Sequence, residues 1–458
     1  MSDFETALER LLGRIEALGE VTDTPGALTR TFLSRANLEA AGLVGEWMRE
    51  AGMSVAYDQG GTVRGVLDKR KAESGSGKEV EDAPGQGSSR LPPTDGRPLL
   101  LGSHIDTVID AGKYDGALGV LIAIAALEVT GPLAFPVHVL GFSDEEGVRF
   151  HATYLGSRAC VGQLREELLA VRDAEGVSLR QALEGGLRGG ERRPALRSPE
   201  DEGGTPDAEL KEGSGEIGEE DALFYRPGEC RGYVEVHIEQ GRVLEGLGEA
   251  VCAVSGICGQ TRLMLTLRGQ TDHAGTTPMD LRKDALAGAS ECVLAAERLA
   301  RGNAGLMATV GKLTVIPGAS NAIPGEVRFT LDFRHPEDAP RESLLAGLLG
   351  EFGEFAKSRS LEFSRETVQS NAAVPCDPEL TGQLLDAAEP LAGVRRLLAS
   401  GAGHDGVMMS TVMPIAMLFV RCRAGLSHHP DEYAAPEDIG VALRVLVDFL
   451  KRTSKAEL

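Results

Sequence analysis

Residues 117–128 read ALGVLIAIAALE, apolar on every face if wound as a helix. A helix of that kind must be covered on all sides, which demands layers of secondary structure around it. Just upstream, Leu99-Leu100-Leu101 reads as a short buried strand that ends at Gly102. His104 and Asp106 follow at i, i+2, so both side chains fall on one side of an extended segment. Asp115 sits in the turn Lys-Tyr-Asp-Gly directly before the apolar helix. A histidine and two carboxylates at the carboxyl edge of a buried strand, beside a helix start, stand where open α/β sheets place their sites.

The remaining pattern extends this unit. Ser2 and Glu5 fit a capping box, with Leu8, Leu11, Ile15 and Leu18 on one helical face. A second helix is expected from Ser34 to Ala51, stopped by Gly52, and two short strands within 55–67. Residues 135–142 read as a strand, 164–187 as a broken helix, and 233–237 (YVEVH) as a strand of alternating polarity. From 256 to 369 the order becomes strand (260–268), helix (284–301), strand (306–316), strand (326–333), helix (340–359), strand (361–369). That β-α-β-β-α-β order describes an α+β module inserted into the α/β domain, which comprises 1–255 and 370–458. Helix, strand and helix at 378–391, 413–420 and 436–452 then rejoin the first domain. Two stretches, 69–95 and 189–221, are poor in apolar residues and rich in Gly, Ser, Pro or acids, and read as disordered insertions. Between Glu200 and Asp221 there are ten acids and one lysine, a large part of the chain's formal charge of −22.

That net charge argues against nucleic acid or an anionic membrane as partner, but not against a small anion in a locally positive site. No run of about 18 apolar residues suggests a membrane span, and the charged, amphipathic N-terminus lacks a signal peptide's apolar stretch, so the expected compartment is the cytoplasm. Seven cysteines with no C-x-x-C spacing read as reduced, buried thiols.

The residues that fall at or near strand ends are His104, Asp106, Asp115, Glu145, Glu146, His237 and His428. Three imidazoles among four carboxylates form a mixed N/O donor set, suited to zinc, manganese, cobalt or nickel rather than calcium or magnesium. A bridging carboxylate with flanking ligands would give a two-metal hydrolytic site. Glu145 and Glu146 leave a strand as neighbours and point opposite ways, so one can ligate while the other serves as general base.

The stretches GSHIDTV with KYDGALG, FSDEEGVRF, YVEVHIEQG, DHAGTTPM, NAIPGEVRFTLDFR, GAGHDG and LFVRCRAGLSHHPDE resemble the M20 metallo-amidase family. The likeness lies with its hydantoinase/carbamoylase branch, which holds allantoate, N-carbamoyl-L-amino acid and ureidoglycolate amidohydrolases and β-ureidopropionases. TVIDAGKYDG, GICGQTRL and LFVRC are most similar to the members acting on allantoate. It covers nearly the whole chain apart from the two low-complexity stretches.

The resemblance implies a mixed-sheet catalytic domain of zinc-peptidase type and an inserted lid or dimerisation domain. It implies two divalent cations per subunit, manganese favoured over zinc, cobalt or nickel. His104, Asp115, Glu146, His237 and His428 would be the metal ligands, with Asp115 bridging. Asp106 would fix the His104 ring, Glu145 would be the general base, and His273 would stabilise the oxyanion. Gln240, Asn321, Arg334 and His404 would hold the substrate, Arg334 by a bidentate fork on a carboxylate. Arg334 also reads as a strand-end ion-pair residue and His273 as a polar residue at a helix entry. The implied partners are a small anionic ureido substrate and a second copy of the chain, paired through the inserted domain. Whether His273 then serves its own or the neighbouring subunit's site is open. The implied reaction is hydrolysis of the ureido group of allantoate with release of ammonia and carbon dioxide. An N-carbamoyl-L-amino acid or ureidoglycolate is the alternative substrate, and a non-catalytic binding scaffold the alternative class.

Overall fold

In the computed structural model, residues 2–58, 60–68, 96–188, 224–393 and 395–455 are described. Both expected insertions, 69–95 and 189–221, lie outside the described residues. The chain is mixed α/β and divides into two units: Met1–Val254, Cys376–Leu397 and His404–Leu458 form one, Ser255–Pro375 and Leu398–Gly403 the other.

The first unit is built on a mixed sheet. Its four middle strands, Val137–Phe142, Leu99–His104, Gly232–Ile238 and Ile415–Val420, run parallel in that spatial order. The hairpin Ser54–Tyr57 and Val63–Leu67 adds antiparallel strands on one side, and Val251–Ile257 pairs antiparallel with Ile415–Val420 on the other. The chain leaves Leu99–His104 for Val137–Phe142 on one flank, then returns to Gly232–Ile238 on the other. The carboxyl ends of these strands are therefore a switch point, where open α/β sheets place their sites. His104, the 143–146 turn and His237 all stand at those ends.

Ala117–Thr130 is the apolar helix, buried along nearly its whole length. It packs against its sheet and against Asp3–Gly19 and Pro436–Lys455. Leu118, Leu121, Ile122 and Ile124 are wholly inaccessible, each worth roughly 1.5–3 kcal/mol of burial. Asp3–Gly19 begins with the Ser2/Glu5 capping box, and Arg35–Glu50 is capped by the Ser34 hydroxyl. The seven cysteines are buried free thiols. Among the described residues no helix is long and apolar enough to cross a membrane.

The second unit is a five-stranded antiparallel sheet with two helices on it, Ala285–Gly302 and Asp338–Ser358. Gly259–Arg268 and Glu326–His335 pair along ten residues and form its middle. The strand expected at 306–316 is two strands, Met307–Thr309 and Leu313–Ile316, which pair with different stretches of Glu326–His335. Lys312 crosses between them, its N–H bonded to the Thr330 hydroxyl, so one partner strand meets two short ones. The broken helix expected at 164–187 is Glu166–Leu169 and Leu179–Arg188. Val251–Ile257 and Leu397–Ser400 are strands that the sequence pattern does not announce.

Candidate metal centre

His104 ends its strand, and its ring is fixed from behind. Nδ1 lies 3.1 Å from the Asp106 carbonyl oxygen and 3.3 Å from Asp106 Oδ1. A carbonyl can only accept, so Nδ1 carries a proton and Nε2 is the nitrogen left to meet a metal. His237 is arranged alike, with Nδ1 donating to the Ile238 carbonyl at 2.9 Å. Both rings thus commit Nδ1 to a carbonyl and turn Nε2 toward Asp115, the orientation a metal ligand needs. Burial opposes a charge on His104, yet the hydrogen bond and charge of Asp106 outweigh it and raise its proton affinity.

Asp115 stands between the imidazoles. Its Oδ1 lies 3.1 Å from His237 Nε2 and 3.8 Å from His104 Nε2, while Oδ2 lies 3.2 Å from His428 Nε2. His428 Nε2 is also 3.2 Å from Glu146 Oε1. Burial alone would raise the Asp115 carboxyl, but hydrogen bonds to His237 and His428 hold it well below the usual range. Two donor triads result, His104/Asp115/His237 and Asp115/Glu146/His428, with the atoms of each within 4.8 Å of one another. They share Asp115, one carboxylate oxygen toward each.

The donors fit divalent cations. Nε2 of His104, His237 and His428 all face the buried Asp115 carboxylate, with Glu146 adjoining, so ring nitrogens and carboxylate oxygens converge as a cation's ligands must. A mixed N/O set of this kind suits zinc or manganese alike.

Asp106 also organises the neighbouring turn. Its Oδ1 accepts from the Glu145 N–H at 2.9 Å and its Oδ2 from the Glu146 N–H at 3.2 Å. One buried carboxylate therefore sets both the His104 ring and the acidic pair. Burial, followed by the charge of Glu146, pushes the Glu145 carboxyl up. Gln240, at φ +55°, donates to Asp115 Oδ1 and Oδ2 at 3.2 and 3.0 Å and to the Ser427 hydroxyl at 3.0 Å. His404 is buried with its ring centroid 4.5 Å from that of His237, edge to face. Burial and then the His237 charge keep it neutral.

The other three residues of the sequence expectation lie in the second unit. His273 is exposed, and its Nδ1 accepts from the Gly275 N–H at 3.1 Å. The Asn321 carbonyl accepts from the Ala274 N–H at 2.9 Å, so His273 and Asn321 occupy one pair of joined loops. Arg334 gives one edge of its fork to Asp332, Nε to Oδ1 at 2.7 Å and Nη2 to Oδ2 at 2.9 Å, and Nη1 to the Gly401 carbonyl at 2.5 Å. Asp332 also receives Gln260 and Arg262, at 2.8 and 2.9 Å.

Two further acids belong to the first-unit cluster. Glu235, on the same strand face as His237, is fully buried and accepts from the Ser103 hydroxyl at 2.8 Å and the Gly406 N–H at 3.2 Å. With His237 and His404 it forms another group of converging donors. Its i−2 spacing from His237 was a signal, obscured because an alternating strand reads as exposed on its polar face. Glu432 is buried too, and its Oε1 accepts from the N–H groups of Tyr114 and Asp115 at 2.9 and 3.0 Å. Burial and the nearby Asp115 push its carboxyl up to about 7. No local pattern signals that contact.

A sequence profile described as peptidase family M20/M25/M40 matches residues 100–452. An allantoate deiminase of Arabidopsis thaliana is 37% identical over 97% of this chain and 82% of its own length. An N-carbamoyl-L-amino acid amidohydrolase of Geobacillus stearothermophilus is 35% identical over 98% of this chain and 99% of its own. The crystal structure of a hydantoinase/carbamoylase-family amidase from Burkholderia multivorans superposes with a TM-score of 0.81 at 29% identity, covering 98% of each chain.

Proposed function

As a member of peptidase family M20/M25/M40 the chain is an amidohydrolase, and we propose that its Asp115 site holds two divalent cations and hydrolyses the ureido group of allantoate. The observation that carries this reading is Asp115 itself, which turns one carboxylate oxygen toward each of two donor triads. The similarity to allantoate deiminases supports the substrate.

When bound, such cations would acidify a water and polarise the scissile carbonyl. Glu145, held by Asp106, takes the proton of the attacking water and returns it to the departing nitrogen. Water adds to the ureido carbonyl, the C–N bond breaks and ammonia leaves; the carbamate left behind loses carbon dioxide. Asp106 keeps Nδ1 of His104 protonated and so keeps Nε2 available as a ligand. Gln240 and His404 line the same cluster as substrate contacts. The substrate roles of Asn321 and Arg334, the oxyanion role of His273, pairing of two copies through the second unit, manganese as the native ion and a cytoplasmic location are proposed from the sequence resemblance.

The test is ammonia release by the purified chain, reconstituted with manganese, from allantoate and from several N-carbamoyl-L-amino acids. The expected result is the highest kcat/KM on allantoate. A higher value on an N-carbamoyl-L-amino acid would reassign the substrate to the reaction named for the Geobacillus relative.

A further inference from the structure

Glu432 does nothing in the reaction as described, yet it is buried beside the shared ligand. Its Oε1 accepts the N–H groups of both Tyr114 and Asp115, across 318 and 317 residues of sequence. The approach is close: a Cβ on Gly112 would lie 2.3 Å from Glu432 Cβ, 2.5 Å from Oε1 and 2.6 Å from Cδ. Only a glycine at 112 leaves room for the carboxylate. Glu432 also closes the segment that carries His428, since its N–H donates to the His429 carbonyl at 3.0 Å. Earlier in that segment, the Ser427 hydroxyl donates to Asp115 Oδ2 at 2.8 Å. The loop 427–432 therefore grips the Asp115 turn twice, Ser427 on its carboxylate and Glu432 on its backbone.

We propose that Glu432, accommodated by Gly112, is a positioning residue that locks the Asp115 turn to the His428 loop and so sets the spacing of the shared ligand. Asp115 is the donor common to both triads, so a turn free to move would loosen both positions together. The inference rests on the two-cation reading of the site.

Manganese titration of the chelator-stripped full chain, followed by calorimetry, tests it with no substrate present. Glu432→Ala should bind manganese about 10–100-fold more weakly at both positions, the range for losing an outer partner of a ligand. Glu432→Gln keeps an oxygen that can accept both N–H groups and should recover affinity to within a few-fold of wild type. Gly112→Ala leaves the carboxylate in the chain but displaces it, and should weaken binding likewise, which provides a second route if Glu432→Ala fails to fold. Wild-type affinity in Glu432→Ala with only a lowered melting temperature would overturn the proposal, as would equal losses in the Ala and Gln variants. Asp115→Ala separates the two readings: full retention of two manganese ions there would refute the shared-ligand site itself.

Discussion

Gly116→Ala tests whether the geometry of the His104 ring matters to the chemistry. Gly116 precedes the apolar helix with φ at +64°. A Cβ built there would lie 2.4 Å from His104 Nε2 and Cδ2 and 2.5 Å from Cε1. Ordinary contact begins at 3.4 Å, so the ring or the turn must yield by about 1 Å. The ring has little freedom to retreat, because Nδ1 is tied to Asp106 and the residue is 2% exposed. Overpacking costs roughly 1–3 kcal/mol, and positive φ in a residue with a side chain roughly another 1–3 kcal/mol. The functional loss should be larger, since a displacement of about 1 Å at a reacting centre costs on the order of 10²-fold in rate. The control is Gly131→Ala at the other end of the same helix, where φ is +80° but nothing lies within 4 Å of the new Cβ. Ammonia release and manganese affinity are measured on both variants. Gly131→Ala should lose stability and keep activity, whereas Gly116→Ala should lose activity about 10²-fold and bind manganese more weakly. Activity within a few-fold of wild type in Gly116→Ala, or the same loss in both variants, would refute the argument.

Glu145→Gln should retain its metal while turnover falls by about 10²–10⁴-fold; loss of metal content by elemental analysis would make Glu145 a ligand instead. Chelation should abolish hydrolysis, and manganese at roughly 100 times its Kd should add about 2.7 kcal/mol of stability to the stripped chain, visible as a rise in melting temperature. His138, bonded to the Tyr225 hydroxyl, is pushed down to about 4 by burial and then by Arg64. The fold thus refuses a proton that the unfolded chain accepts below about 6.5. This one contribution is complete above that pH and is lost as pH drops toward 4, so His138→Gln should flatten the acid-side slope in pH-dependent melting.

Much of this protein was legible in its residues because the deciding patterns are local. An all-apolar helix next to a triple-leucine strand demands a layered α/β unit, and the turns after such strands are where polar residues gather. His104, Asp106, Asp115, Glu145, Glu146 and His237 could therefore be picked out from strand ends alone. Hydrophobic periodicity also located the helices Arg35–Glu50 and Ala285–Gly302 to within a residue or so, since their caps Ser34 and Asp284 are short-range signals. The division of 306–316 into two strands was not legible, because it is set by how each piece pairs with Glu326–His335. Glu235 looked like the wet face of an alternating strand; covering the parallel sheet on both faces is what buries it. Arg334 had a visible acid two residues away, but only the strand pairing shows Asp332 gathering Arg334, Arg262 and Gln260 onto one carboxylate. Glu432 is the plainest case. A hydrogen bond across more than three hundred residues leaves no trace in local pattern, because it exists only after the sheet has brought both loops to the same edge.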